Sequence, residues 1–270
     1  MRIRSSWLCV LLAAPLSMTV ELPDSTVEPT SNSELSTSYR IGGGGGRYYH
    51  TLGFSDCGTS VPVQQEFVDV GAELDRQTDV TSHFGLCAGY IHDTTDTLSD
   101  ISDLESSLGS DVDRTREVYY INPFAAREWR TIGFGLGVLF TTRPLNIHNP
   151  QDPTDDDVHI YPTAHLRIGD PSRFYISGQL FEGVPLYSGG GVFNAGAGVR
   201  PAHALELYGG FYASGPYRED GWVGRINYDL NRRWTLGTVV RFPSDYQNYD
   251  AKEYGVSASL TYRSFRPGSP

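Results

Sequence analysis

An imidazole beside a carboxylate suits general-base activation of water, and His92-Asp93 offers that pair, with further carboxylates at Asp155, Asp156 and Asp157. The two sets lie in separate segments, so they would meet only if two long connections folded together. Adjacent Asp and His also recur by chance in acidic stretches, and no catalytic residue is expected. His159 and His165 are a second candidate pair. Six residues apart on one face of a strand they stand roughly 20 Å from each other, too far to share a metal ion. No metal and no cofactor is expected. A third set is purely electrostatic: Arg225, Arg233, Arg241 and Arg263 near the C-terminus, and Asp69, Glu73 and Asp75 nearer the start. Spread over several depths of one wall, such arginines would pass an anion from step to step. The plainer reading is that they pair with Asp229, Glu206 and the early carboxylates, because ions inside a protein need partners.

Which of these residues face one another depends on the elements that carry them. The clearest are the last three apolar segments, each with an aromatic at both ends of one face: Trp222 and Tyr228, Trp234 and Phe242, Tyr254 and Tyr262. Between them the same face carries Ile226, then Leu236 and Val240, then Val256, Ala258 and Leu260, and the other face carries Arg225, Asn227, Asp229, Arg241, Ser257, Ser259, Thr261 and Arg263. This period-two alternation places one apolar and one polar face on a sheet. Tyr and Trp favour the boundary between hydrocarbon and water, and girdles of them flank the apolar band of a transmembrane barrel.

Similar segments recur through the chain. Approximate strands fall at 40–54, 63–75, 79–92, 117–129, 131–142, 157–168, 173–183, 190–200, 204–213, 220–230, 232–242 and 252–264. Segment 131–142 is the cleanest, with Ile132, Phe134, Leu136, Val138 and Phe140 on one face and Gly133, Gly135 and Gly137 on the other. In 157–168 the polar face holds His159, His165 and Arg167. Pro123 cannot donate to a ladder, so a bulge is expected in 117–129. Every second connection is tight and the others are longer, as in barrels with short periplasmic turns and long external loops. The expectation is an all-β, antiparallel up-and-down barrel of twelve strands, or ten if two segments are not strands. A soluble sandwich would explain the alternation but not the paired aromatics and alternating connections together. Inward residues would then include Asp69, Glu73, His159, His165, Arg167, Arg225, Asp229, Arg241 and Arg263. Phe140, Trp222, Tyr228, Trp234, Phe242, Tyr254 and Tyr262 would mark the membrane interfaces. Inward glycines, among them Gly196, Gly198, Gly237 and Gly255, leave room inside or allow the wall to curve.

Composition agrees. No stretch has the roughly 18 consecutive apolar residues of a spanning helix, while 30 glycines and 17 tyrosines suit short strands and tight turns. A net charge of −11 argues against a nucleic-acid binder. Acid clusters in the connections, notably 93–113 and 152–157, would give a solvated rim or an adhesive, calcium-holding one. Arg2 and Arg4 followed by the apolar run 7–16 read as an export signal over 1–20, with a disordered tail at 21–39, the barrel at 40–265 and a short tail at 266–270. Cys9 would leave with the signal. Cys57 and Cys87 would remain as a possible disulfide in an oxidising compartment. Leu98, Ile101, Leu104 and Leu108 are spaced for a short helix on the rim.

The closing segment EYGVSASLTYRSF resembles the last strand of bacterial outer-membrane barrel proteins, whose alternating apolar positions end in an aromatic, here Phe265. The resemblance covers roughly 40–265 and is to the broad, porin-like class. It implies a bacterial outer-membrane location, contact with membrane lipid and lipopolysaccharide, and insertion by the barrel-assembly machinery. Within that class the arginine steps resemble the walls of narrow porins for acidic sugars. The Asn-His-x-Ser motif of outer-membrane phospholipases has no counterpart; the nearest string, NIHNP at 146–150, has the wrong order and no serine. His92-Asp93 with Asp155–Asp157 would resemble the omptin-like proteases. A non-enzymatic narrow channel or structural envelope component is therefore the leading expectation, with a rim hydrolase or an adhesion barrel as alternatives.

Overall fold

The computed structural model describes residues 37–54, 59–78, 81–97, 115–143, 145, 158–189, 193–214, 219–243 and 254–264. The signal, the tail before residue 37, Cys57, the helix expected near Leu98–Leu108, Asp155–Asp157 and Phe265 lie outside this set. The described chain forms twelve strands: β1 (Thr37–Phe54), β2 (Thr59–Gln77), β3 (Ser82–Thr97), β4 (Thr115–Glu128), β5 (Ile132–Thr141), β6 (His159–Asp170), β7 (Phe174–Leu180), β8 (Phe193–Ala202), β9 (Leu205–Ser214), β10 (Glu219–Asp229), β11 (Trp234–Pro243) and β12 (Tyr254–Arg263). Each pairs antiparallel with its neighbours in sequence, and β1 pairs with β12, so the sheet closes and leaves no open edge.

The alternation read from the sequence fixes which face turns outward. Along β5, exposed Ile132, Phe134, Leu136 and Val138 alternate with buried Gly133, Gly135 and Leu139. Leu136 and Trp222 are 65% and 64% exposed, and Ile41, Leu74, Ile160, Phe242 and Leu260 also stand on the outer surface. So much outward apolar area on a closed sheet needs a hydrocarbon surround. Ten-residue strands tilted about 40° rise roughly 25 Å, the height of that band. At the short-turn end, Asn231 caps its turn by accepting from the Arg233 and Trp234 amides at 2.8 and 3.1 Å.

Four details depart from the sequence expectations. Strand β1 begins at Thr37, three residues inside the expected tail. The ladder between β4 and β5 skips Asn122 and Pro123 but resumes in the same register, so Pro123 leaves a gap and no bulge. A register shift lies instead between Val199 and Ala202, where β8 meets β9. Most important, β7 stops at Leu180 rather than 183. Phe181 and Gly183 have φ of 48° and 131°, values that turn the chain out of the sheet, and residues 181–189 fold into the lumen. Val184, Leu186, Tyr187 and Ser188 are buried there.

Candidate functional site

The carboxylate of Asp69 gathers three of the bonds that hold the inward segment 181–189. Asp69, on the inner face of β2 and fully buried, accepts from the Tyr187 amide at 2.7 Å, the Ser188 amide at 3.2 Å and the Ser188 hydroxyl. Three donors satisfy a charge that would otherwise be costly inside a barrel. Further bonds come from both sides: Thr261 Oγ1 donates to Val184 O at 3.3 Å, Ser257 Oγ to Ser188 O at 3.3 Å, and Tyr187 Oη to Leu145 O at 2.5 Å. Space for the segment comes from the glycine run of β1. A side chain at Gly42 would sit 2.8 Å from Pro185 Cδ, and one at Gly44 would overlap Ser188. These glycines make room for chain and open no pore.

Other inward glycines are filled in the same way. The Tyr48 ring lies over Gly255, the Tyr175 ring over Gly198 and the His165 ring over Gly135. The inner face is also less polar than the alternation alone suggests. Phe67, Ile91, Val118, Leu139, Leu186 and Tyr187 form one apolar cluster around the segment, and Tyr175, Tyr208, Tyr212, Val223 and Val239 form a second.

On the short-turn side of the segment the lumen holds a cavity of about 530 Å³. Glu182, Gly183, Val184 and Gly189 bound it on the inner side, and Arg40, Pro171, Arg200 and Arg263 line it toward the turns. Its charges are organised in pairs, because each strand presents its inner residues beside those of its neighbours. Arg40 grips Glu73 with both carboxylate oxygens at 2.7 Å. His165 lies 3.0 Å from Glu128 and 2.7 Å from Glu182, which ties the inward segment to β4 and β6, and Arg167 meets Glu128 at 2.5 Å. Glu206 accepts from Tyr175 Oη at 2.6 Å and Arg200 at 3.1 Å, and lies 3.7 Å from Arg225. Asp229 meets Arg200 at 3.2 Å and Thr235 Oγ1 at 2.6 Å. Arg225 stacks 4.6 Å over the Tyr208 ring.

The remaining sequence candidates are scattered. Arg241 faces inward nearer the long-loop end and is 7% exposed, between the rings of Tyr48 and Tyr212, with Nη1 donating to Tyr48 Oη at 2.6 Å. His159 faces the same interior opposite Thr141 on β5. Arg233 is not on the wall: it sits in the turn before β11, and its guanidinium reaches Tyr262 Oη at 3.5 Å. His92 and Asp93 point to opposite faces of β3. Asp93 is buried inside with Arg116 at 2.6 Å, whereas the His92 ring stacks near Tyr90, so the two do not form a general-base couple. Cys87 carries a free, buried thiol 4.0 Å from Gly183 O, and the partner expected for it, Cys57, lies outside the described residues. Of the interface aromatics, Trp222, Tyr228, Trp234 and Phe242 are exposed on the outer face, Phe140 and Tyr262 are half-buried, and Tyr254 opens β12. Trp234 packs edge-on against Tyr262 at 5.0 Å.

Sequence reasoning missed the inward segment, Asp69 as its anchor, and the pairing of His165 with Glu182. One signal was present. Glycines at every second residue of 42–46 leave the inner face of a strand bare, a mark of another backbone approaching closely.

Comparison with protein-family models returned no match, and comparison with curated proteins returned none. Among solved structures, an outer membrane channel from Pseudomonas putida F1 is similar at a TM-score of 0.53 and 10% identity, over 88% of this chain and 100% of that one. Outer membrane phospholipase A from Escherichia coli aligns at 0.42 and 11% identity, over 87% and 94%. The Pseudomonas putida toluene transporter TodX aligns at 0.38 and 8%, over 84% and 88%. The chain thus has the closed, twelve-stranded antiparallel architecture of the broad class of bacterial outer-membrane barrel proteins.

Proposed function

We propose that this chain is a non-enzymatic outer-membrane barrel that acts as a narrow channel for small solutes, closed in this state by residues 181–189. The observation that carries the reading is the form of the closure. A short piece of chain, anchored mainly through Asp69, separates the 530 Å³ cavity from the rest of the lumen. The nine-residue closure, held by these bonds, by Glu182 on His165 and by the packing of Val184, Leu186 and Tyr187, is a smaller unit to open than a packed domain. In this reading the apolar belt contacts lipid and lipopolysaccharide, the short turns face the periplasm, and the barrel-assembly machinery inserts the chain.

The second reading is a structural envelope barrel, favoured by the two apolar clusters packed inside the wall. Single-channel recording in planar bilayers separates the two. The channel reading expects small, infrequent openings from the native protein and larger, longer ones from Asp69→Ala. Silence from both proteins, with the variant still showing the heat-modifiable gel mobility of a folded barrel, would leave the structural reading.

A further inference from the structure

What a cavity can bind is set by the polar groups its own walls leave uncommitted. Here each lining carboxylate has a partner: Glu73 has Arg40, Asp75 has His83, Glu128 has Arg167 and His165, Glu182 has His165, and Glu206 has Arg200 and Tyr175, while Asp229 beside them meets Arg200 and Thr235. Two guanidiniums keep donors to spare. Among the described residues, the Arg263 guanidinium makes no hydrogen bond or ion pair, and Arg263 stands directly across the ladder from Arg40, a like charge already committed to Glu73. Deeper in, Arg225 Nε is buried without a partner, while the rest of that guanidinium shares Glu206 with Arg200. Through Val239 and Ser257 the register sets Arg225 six residues of β12 from Arg263, roughly 20 Å along the wall. The wall between them presents Asn227 and Ser259, which both donate and accept, and the Thr235 and Thr261 hydroxyls, whose protons go to Asp229 and Val184 O and whose oxygens can still accept.

We propose that this cavity is a binding site for small hydroxylated organic anions, captured by Arg263 at the turn end and received at depth by the Arg225 guanidinium. The proposal rests on reading the cavity as the solute site of the channel. A guanidinium without a counter-charge gains most from an oxyanion, because charge-assisted hydrogen bonds exceed neutral ones. The low-dielectric wall concentrates that attraction. A hydroxylated body then replaces its lost water with the Asn, Ser and Thr groups of the wall.

The test is equilibrium binding to the detergent-solubilised full barrel by titration calorimetry, with gluconate, glucose and inorganic phosphate as probes. Saturable gluconate binding is expected, with none for glucose. Arg263→Gln is expected to weaken it by about tenfold or more, the loss of one charge-assisted bond, and Arg225→Gln likewise. Arg233→Gln, in the turn, should leave it unchanged. Equal binding of glucose, binding of phosphate alone, or undiminished gluconate binding by the double variant Arg263→Gln/Arg225→Gln would overturn the proposal. Because binding in detergent does not require the segment to open, the two readings fail separately. Binding without conductance removes the channel and keeps the site; conductance without binding removes the site and keeps the channel.

Discussion

Single residues decide whether the lumen can hold its inward segment. Gly44 faces Ser188 and the Ala258 carbonyl, and a backbone oxygen cannot swing aside as a side chain can. Gly44→Val is therefore expected to destabilise the barrel by about 1–3 kcal/mol, the usual cost of overpacking. Gly43→Val, whose side chain would point outward toward Val70 Cγ1, is expected to be tolerated. Urea unfolding followed by tryptophan fluorescence checks both, and equal losses would mean that the segment does not fill the groove. Asp69 was legible as an inward carboxylate because alternation alone gives its direction. Its role was not legible, since its three donors come from residues more than a hundred positions later in the chain.

The elements were the most readable level, for a physical reason. An apolar outer face and a filled interior impose a strict two-residue period, and each of the twelve segments read from that period became a strand. The period also makes a graded prediction. Leu136 lies mid-strand on β5 and Trp222 near the long-loop end of β10. Leu136→Arg should cost about 2–4 kcal/mol and Trp222→Arg about 0–1 kcal/mol, following the depth dependence of charge on a barrel exterior. Folding titrations into lipid vesicles would measure the difference, and equal costs would contradict the assigned depth. Residues 181–189 escaped the same reading because FEGVPLYSG has no period. An apolar run that ends a strand and one that turns into a lumen look alike until the partner surface is known. His92 and Asp93 failed the other way: adjacency in sequence suggested a couple, and adjacency on a strand separates the two by a sheet.

For the whole molecule, closure and shielding should change together. Cys87 lies against Gly183 O beneath the segment, and in Cys9→Ser/Cys57→Ser protein it would be the remaining thiol. Maleimide labelling of folded barrel is expected to be slow, and to quicken by more than about tenfold when Asp69→Ala frees the segment, as for a locally opened site. Unchanged labelling would show that the segment stays seated without its anchor. The closed barrel and its outward apolar belt were legible from alternation and turns, which are repeated many times over. The cavity was not, because it arises where one irregular stretch meets residues from most of the wall, and each of those contacts occurs once.

The inward segment also touches the place where the two ends of the chain meet. It packs on Gly42 and Gly44 of β1, the first strand, and bonds to Ser257 and Thr261 of β12, the last, across the one ladder that joins residues far apart in sequence. That seam joins the strands farthest apart in sequence, and here a mid-chain loop bolts it from within. The same segment that fills the lumen therefore also clasps the ring.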